Sequence, residues 1–213
     1  MTENKFDDLY KEFDDEFNTY KYYLYNEYEK TNTMNYKNIL MTSILNRSLA
    51  LIEAYKLLLP SNNLMALNSL SRLQIDNCIF IYGVKMLIDD GHTIDEIGDA
   101  IIKKNKKLSE YKIGKNKLYD TYIISELNKK FKCKIEDMYN FYCRYIHFSD
   151  SALLFSTPIK DENILSIEFS KDYSKFKKHV RENANSFSEL NKFILILLEQ
   201  EWKNIPNGKK FNK

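Results

Sequence analysis

The sequence contains very few of the residues that interrupt helices. Among 213 residues there are only 5 Gly and 3 Pro, which argues against a fold of many short strands joined by tight turns. Hydrophobic residues make up 44% of the chain and aromatic residues 14%, which is enough for a sizeable core and argues against intrinsic disorder. This composition predicts long helices.

Cysteine is also scarce, and no segment is long and apolar. Cys78, Cys133 and Cys143 are an odd number without C-x-x-C spacing, which argues against a disulfide framework or a zinc site and favours a reducing compartment. The acidic stretch 1–17 lacks the apolar core of a signal peptide. No apolar run approaches the roughly 20 residues of a membrane helix. We therefore expect a soluble cytoplasmic protein without a membrane segment.

Charge is balanced overall but unevenly distributed. The net charge is only +2, yet residues 1–30 contain nine acids and four lysines, and residues 103–134 contain eleven lysines and three acids. The basic segment is interpreted either as a phosphate-binding patch or as a solvated face of a lysine-rich protein. In the first interpretation, the nucleic-acid-binding residues are Lys103, Lys104, Lys106 and Lys107.

The apolar periodicity predicts a series of helices. Residues 1–30 form an acidic amphipathic helix, and Thr93 with Glu96 forms a capping box. Asp120 is expected to cap the helix that runs through Phe131. The predicted helices span about 4–29, 34–59, 64–88, 93–104, 120–131, 135–147 and 172–204, with a lysine-rich loop at 106–117.

Residues 152–170 differ in character from the rest. The run "ILSIEF" alternates apolar and polar residues, which is typical of a short strand or an extended arm. We therefore predict an all-α fold, a single helical bundle of about five to seven helices in one domain, 1–213, with a short extended or β insertion near 152–170.

The stretch "SLSRLQIDNCIFIYGVKMLIDD", residues 69–90, carries charges within an apolar helix. Apolar residues occur on nearly every side of this helix, so it should be central in the bundle. Arg72 and Asp76 are four residues apart and therefore neighbours. Because an unpaired buried charge costs several kcal/mol, the sequence predicts a polar network in the core with Arg72 at its centre.

The helix "IEDMYNFYCRYIHF", residues 135–148, is the predicted partner of that network. Glu136, Asn140, Arg144 and His147 are spaced so that they share one face. They are interpreted either as a polar site, with His147 as acid or base and Arg144 facing a phosphate or oxyanion, or as a solvated face with a structural histidine. The remaining histidines are isolated and no P-loop or metal motif is present, so we predict no metal and no cofactor.

Three stretches together resemble a known family: "NRSLALIEAYKLLL", then "ALNSLSRLQIDNCIFIYG" after a polar break, and later "YNFYCRYIHFSDS". Their order and pattern are similar to the HEPN-like helical domains, and in particular to an uncharacterised bacterial branch. The likeness covers roughly residues 36–170 and places a HEPN-like core at 34–150. In that branch, the matching positions are Arg72, Asp76, Tyr145, His147 and Ser149.

The resemblance implies a helical fold and a link to RNA. The family includes ribonucleases of toxin–antitoxin and phage-defence systems, which often act as dimers. It implies a metal-independent endoribonuclease with catalytic His147 and Arg144, supported by Arg72, Asp76, Asn140 and Ser149, with RNA, an antitoxin and a second copy as partners. The family's usual signature places four to six residues between Arg and His, whereas two separate Arg144 from His147. A non-catalytic helical interaction or regulatory protein, with a structural Arg–Asp network, is therefore the second hypothesis.

Overall fold

A computed structural model of the chain describes residues 6–31, 34–146, 159–161, 164–165 and 177–211. These residues form seven α-helices, which confirms the predicted all-α bundle. The helices are α1 (Asp7–Thr31), α2 (Tyr36–Leu58), α3 (Leu64–Asp89), α4 (Ile94–Lys104), α5 (Asp120–Phe131), α6 (Ile135–Ile146) and α7 (Lys177–Leu197). A π-helical turn, Leu198–Trp202, follows α7.

Two small antiparallel hairpins interrupt the helices. The first, β1 (Lys112–Ile113) with β2 (Asn116–Lys117), lies in the segment predicted as a loop. Gly114 at the reversal has φ +58°, a left-handed conformation that glycine adopts without steric cost. The second, β3 (Ile159–Asp161) with β4 (Ile164–Leu165), lies within the predicted β insertion. A 3-10 turn, Leu108–Glu110, precedes the first hairpin.

Helix α3 is the centre of the bundle, as its apolar pattern predicts. It packs against α2, α5, α6 and α7, and its buried side chains point to all sides. Because α3 is surrounded by other helices, a buried polar side chain on it has to find its partners on α3 itself or on a neighbouring helix. Its fully buried apolar residues are Leu67, Ile75, Cys78, Ile81, Val84 and Leu87.

The residues predicted to cap the helices are confirmed in one case and wrong in another. The capping box at Thr93 and Glu96 is present, with both of its hydrogen bonds formed. The predicted cap at Asp120 is wrong: Tyr119 is the N-cap residue of α5, it makes no side-chain cap, and Asp120 is the first helical residue. The carboxylate of Asp120 turns to α3 instead, where it accepts a hydrogen bond from Arg72.

A close approach between α2 and α4 depends on one glycine. A Cβ atom at Gly98 of α4 would overlap the ring of Tyr36, the first residue of α2. The Tyr36 ring also meets Phe211 edge-on, with 4.7 Å between centroids, and its hydroxyl donates to Asp99. The absence of a side chain at Gly98 thus allows α2, α4 and the segment around Phe211 to meet at one point.

Helix α1 joins the bundle through a buried carboxylate. Glu16 is 5% exposed, accepts a short hydrogen bond from Ser188 of α7, and accepts another from Asn191 Nδ2 at 2.6 Å. Burial raises the pKa of Glu16 to about 7, although the hydrogen bonds from Ser188 and Asn191 oppose the shift. Glu12, one turn earlier, binds Lys192 at 2.5 Å, and this contact lowers the pKa of Glu12.

This difference predicts opposite pH dependences for the two carboxylates. Because the pKa of Glu16 is raised in the folded state, its contribution to stability is fully present below pH 4.5, the ordinary pKa of a glutamate. This contribution is lost as the pH rises to about 7. The stability of wild type relative to Glu16→Gln should therefore fall over this interval, by up to about 3 kcal/mol. Urea unfolding at a series of pH values measures it. Glu12→Gln is the control and should show the opposite sign, because the contribution of Glu12 is lost as the pH falls. Parallel curves for wild type and Glu16→Gln would contradict the assignment.

Candidate functional site

The Arg72 guanidinium is buried and joins three elements of the bundle. Arg72 on α3 is 9% exposed, and its Nη1 makes a short ion pair with Asp76, one turn later. Its Nη2 lies 3.4 Å from Oδ2 of Asp120, at the start of α5. The side chains of Asp76 and Asp120 are 33% and 50% exposed, so the network runs from the core to the surface.

Helix α6 completes the surroundings of Arg72. The guanidinium lies over the ring of Tyr139, 4.4 Å from its centroid, and Nε donates to Sγ of Cys143 at 3.3 Å. Burial by itself would lower the pKa of Arg72, but the charge of Asp76 and the contacts with Cys143 and Asp76 outweigh it, so the pKa is raised. Arg72 is thus a permanent cation at this point.

A second arginine extends the network towards α2. Nη1 of Arg47 donates to the side-chain oxygen of Asn77 at 2.9 Å, and its Nη2 lies 3.8 Å from Asp76. Asn77 in turn donates to Ser48 and Gln74. Gln74 donates to Asn191 at 2.6 Å, and Asn191 donates to Glu16. A continuous line of polar contacts therefore crosses the bundle from α1 to Arg47.

Next to this network lies an open groove of about 760 Å³. It is bounded by α2, by α3 and by the segment from the end of α4 to the start of α5. Its polar lining includes Arg47, Asp76 and Asp120, and thus the outer end of the Arg72 network. Its other polar residues are Ser43, Asn77, Lys106, Lys107 and Ser109.

The four lysines predicted to bind nucleic acid fall into two pairs. Lys103 and Lys104 each lie 2.9 Å from the carboxylate of Asp99. Lys106 lies over the ring of Tyr111, at 3.7 Å from its centroid, and Lys107 is exposed. Only the second pair lines the groove. The structure therefore separates Lys103 and Lys104, which are partly neutralised, from Lys106 and Lys107.

The structure describes two further predicted site residues, Asn140 and Arg144, both on α6. Asn140 and Arg144 are exposed on α6, whereas Tyr139 and Cys143 of the same helix face Arg72. Helix α6 ends at Ile146, and the predicted residues His147 and Ser149 lie outside the described residues.

Around the Arg72–Asp76 pair itself, sequence reasoning missed four residues: Arg47, Asp120, Tyr139 and Cys143. A signal existed for two of them, because Tyr139 and Cys143 are four residues apart and lie beside the buried Ile135 and Tyr142. No local pattern could pair Asp120 with Arg72, since 48 residues separate them.

The described part of the chain places no three His, Cys, Asp or Glu side chains where they could share a metal ion. None of its helices has the length and the hydrophobicity that crossing a membrane requires.

The exposure of Asp76 sets the energetic importance of its pair with Arg72. Replacing Asp76 by Ala leaves the buried guanidinium with Asp120 as its one described carboxylate partner, at the longer distance, and we expect a loss of about 2–3 kcal/mol. This is below the cost for a fully buried pair because water reaches Asp76. The control is Asp89→Ala, which removes the i,i+4 pair with Lys85 on the same helix and should change stability by less than about 1 kcal/mol. If chemical unfolding gave equal losses of stability for Asp76→Ala and Asp89→Ala, the Arg72–Asp76 pair would be no more important than the Lys85–Asp89 pair.

Comparison with known proteins gives no relative for this arrangement. No family model matches the chain, and neither a curated protein nor a solved structure matches it. The candidate site therefore rests on the geometry described above.

Proposed function

We propose that this protein is an RNA-directed, HEPN-like helical protein, a nuclease or toxin of a defence or toxin–antitoxin module. One observation supports the RNA-directed part. Residues 106–117, here called the lysine loop, contain five lysines, and none of them has an ion-pair partner among the described carboxylates. The single acid of the loop, Glu110, accepts the backbone N–H of Lys107 instead.

The lysine loop differs in this respect from many other lysines among the described residues. Elsewhere many lysines are neutralised by a nearby carboxylate, as in the pairs Lys56–Asp14, Lys85–Asp89, Lys103–Asp99, Lys129–Glu126, Lys130–Glu201 and Lys192–Glu12. Uncompensated positive charges in one place create a field that attracts polyanions. A lysine-rich face that only kept the protein in solution would not need lysines grouped without carboxylate partners.

An aromatic ring lies next to the loop. Tyr119 is 51% exposed, and the ammonium group of Lys117 lies 5.6 Å from its ring centroid. An exposed ring beside unpaired cations is the combination that single-stranded nucleic acids use, because a base stacks on the ring while the phosphate meets the cation. This supports RNA over a compact acidic protein as the polyanion.

A specific observation also favours the second hypothesis, a non-catalytic interaction or regulatory protein. The Arg72 guanidinium uses its three nitrogens on Asp76, Cys143 and Asp120. An arginine whose three nitrogens all bond to groups of the protein serves structure more readily than it serves a phosphate. Together with the short spacing between Arg144 and His147, this supports a non-catalytic protein in which Arg72 is structural.

The lysine loop predicts a salt dependence that separates the two lysine pairs. Binding of a single-stranded RNA should weaken as salt rises, and each lost phosphate contact should flatten the log–log slope by about 0.7. We expect Lys106→Gln/Lys107→Gln to reduce the slope by about 1.4 if both lysines contact phosphates. Lys103→Gln/Lys104→Gln is the matched control and should change it less, because Asp99 already binds these lysines. Fluorescence anisotropy over a salt series measures both slopes. If single-stranded RNA did not bind wild type at low salt, the RNA-directed proposal would be wrong.

The catalytic form of the proposal predicts a toxic phenotype that depends on His147. In this form, His147 accepts the proton of a ribose 2′-hydroxyl as its oxygen attacks phosphorus, with Arg144 facing the phosphate. A 2′,3′-cyclic phosphate forms, the bond to the 5′-oxygen breaks, and that oxygen takes a proton from water. Expression of wild type should then arrest growth, and expression of His147→Ala should not. His179→Ala, which alters an exposed histidine beside Glu182, is the control and should remain toxic. Equal growth with wild type and His147→Ala would favour the non-catalytic alternative.

A further inference from the structure

The groove beside the Arg72 network combines an apolar wall with charged rims. Its apolar surface comes from three helices and the 3-10 turn, and one member, Phe80, is an aromatic ring that is only partly buried. A volume of about 760 Å³ lies within the usual range of small-molecule sites, which are mostly apolar with a few placed polar groups. The apolar lining consists of Leu40, Ile44, Ile79, Phe80, Ile101 and Leu108.

The cations of the groove outnumber its carboxylates. Arg47, Lys106 and Lys107 line it directly, together with Asp76 and Asp120. Both carboxylates already face Arg72, which reduces the negative charge that they present to the groove. The groove is therefore positively charged, and its two lysines have no carboxylate partner among the described residues. An occupant should carry an anionic group at the lysine rim.

The carboxylates place a further condition on the occupant. Asp120 is half exposed and, among the described contacts, uses only Oδ2, for the bond with Arg72. An ionised carboxylate accepts hydrogen bonds and donates none. The part of the occupant that faces Asp120 should therefore carry N–H donors. Inorganic phosphate would leave the apolar wall unused, and a fatty acid would leave Asp120 without a donor.

We propose that this groove binds a nucleoside phosphate whose base carries an exocyclic amino group. The base lies against Phe80 and the aliphatic wall, its amino group donates to Asp120, and its phosphate lies at Lys106 and Lys107. Adenine and cytosine present such an amino group, whereas uracil presents a carbonyl oxygen in the same place, which a carboxylate repels. The ligand is either a free nucleotide or one nucleotide of an RNA strand, and in the second case the inference rests on the proposed function.

A substitution that fills the groove tests the proposal without removing core residues. Ser43 is exposed on α2 and lines the groove, so Ser43→Trp should block it. Ala50→Trp is the matched control, because Ala50 is exposed on the same helix and is not part of the lining. Circular dichroism establishes that both variants are folded. Isothermal titration with AMP and UMP, and anisotropy with oligo(A) and oligo(U), then measure binding.

We expect wild type and Ala50→Trp to bind AMP at least about tenfold more tightly than UMP, and Ser43→Trp to lose AMP binding. Asp120→Ala should reduce the preference for AMP over UMP, because it removes the acceptor of the amino group and leaves the lysines and the apolar wall. AMP binding that Ser43→Trp leaves unchanged, or an equal affinity of wild type for AMP and UMP, would overturn the proposal.

The two ligand sources and the two proposals separate in the same experiment. If AMP binds in the groove but no RNA binds, the groove is a site for a free nucleotide and the RNA-directed function fails. If RNA binds with the expected salt dependence but AMP does not bind, and Ser43→Trp leaves oligo(A) binding unchanged, the groove proposal fails and the RNA-directed function stands. If oligo(A) binds more tightly than oligo(U) and Ser43→Trp removes that preference, one nucleotide of the strand occupies the groove.

Discussion

The bundle depends on the need to satisfy polar side chains on its central helix. Helix α3 buries Arg72, Gln74 and Asn77, and a buried polar group without a partner costs about 1–3 kcal/mol, or more when it is charged. Besides contacts within α3, each of these residues bonds to a neighbouring helix: Arg72 to α5 and α6, Gln74 to α7, and Asn77 to α2. Apolar contacts would allow neighbouring helices to slide or rotate slightly. Hydrogen bonds with fixed donors and acceptors specify one arrangement.

The same requirement determines the chemistry of the groove. Arg47 is held at the groove wall because it bonds to Asn77 and lies near Asp76. Asp120, at the start of α5, is directed towards Arg72 and thereby becomes part of the lining. The charged groups that face solvent are thus the outer members of a network whose inner members stabilise the core. A functional site built in this way is preorganised, because its side chains are fixed before any ligand arrives.

The sequence predicts the positions of the helices well, but it does not predict which helices pack against each other. Apolar periodicity places α3 at the centre, and the spacing of Thr93 and Glu96 locates the capping box, since both depend on residues a few positions apart. It also makes Arg72 and Asp76 neighbours. It cannot identify Cys143 or Asp120 as their partners, because spacing within a helix defines its faces but not which helix lies opposite each face. The hairpin at 112–117 escaped prediction since its strands are two residues each, too short for an alternating pattern.

The contact between α1 and α7 has a consequence for the kinetics of folding. Glu16 and Asn191 are 175 residues apart in the chain, whereas α2 and α3 are joined by a short connection. Closing a long loop costs conformational entropy, and this cost arises before the contacts that offset it have formed. The pair of α2 and α3 is therefore expected to form early and the pair of α1 and α7 late. Interactions that form after the transition state mainly slow unfolding, so the hydrogen bonds of Glu16 should govern how long the native state persists more than how quickly it is reached.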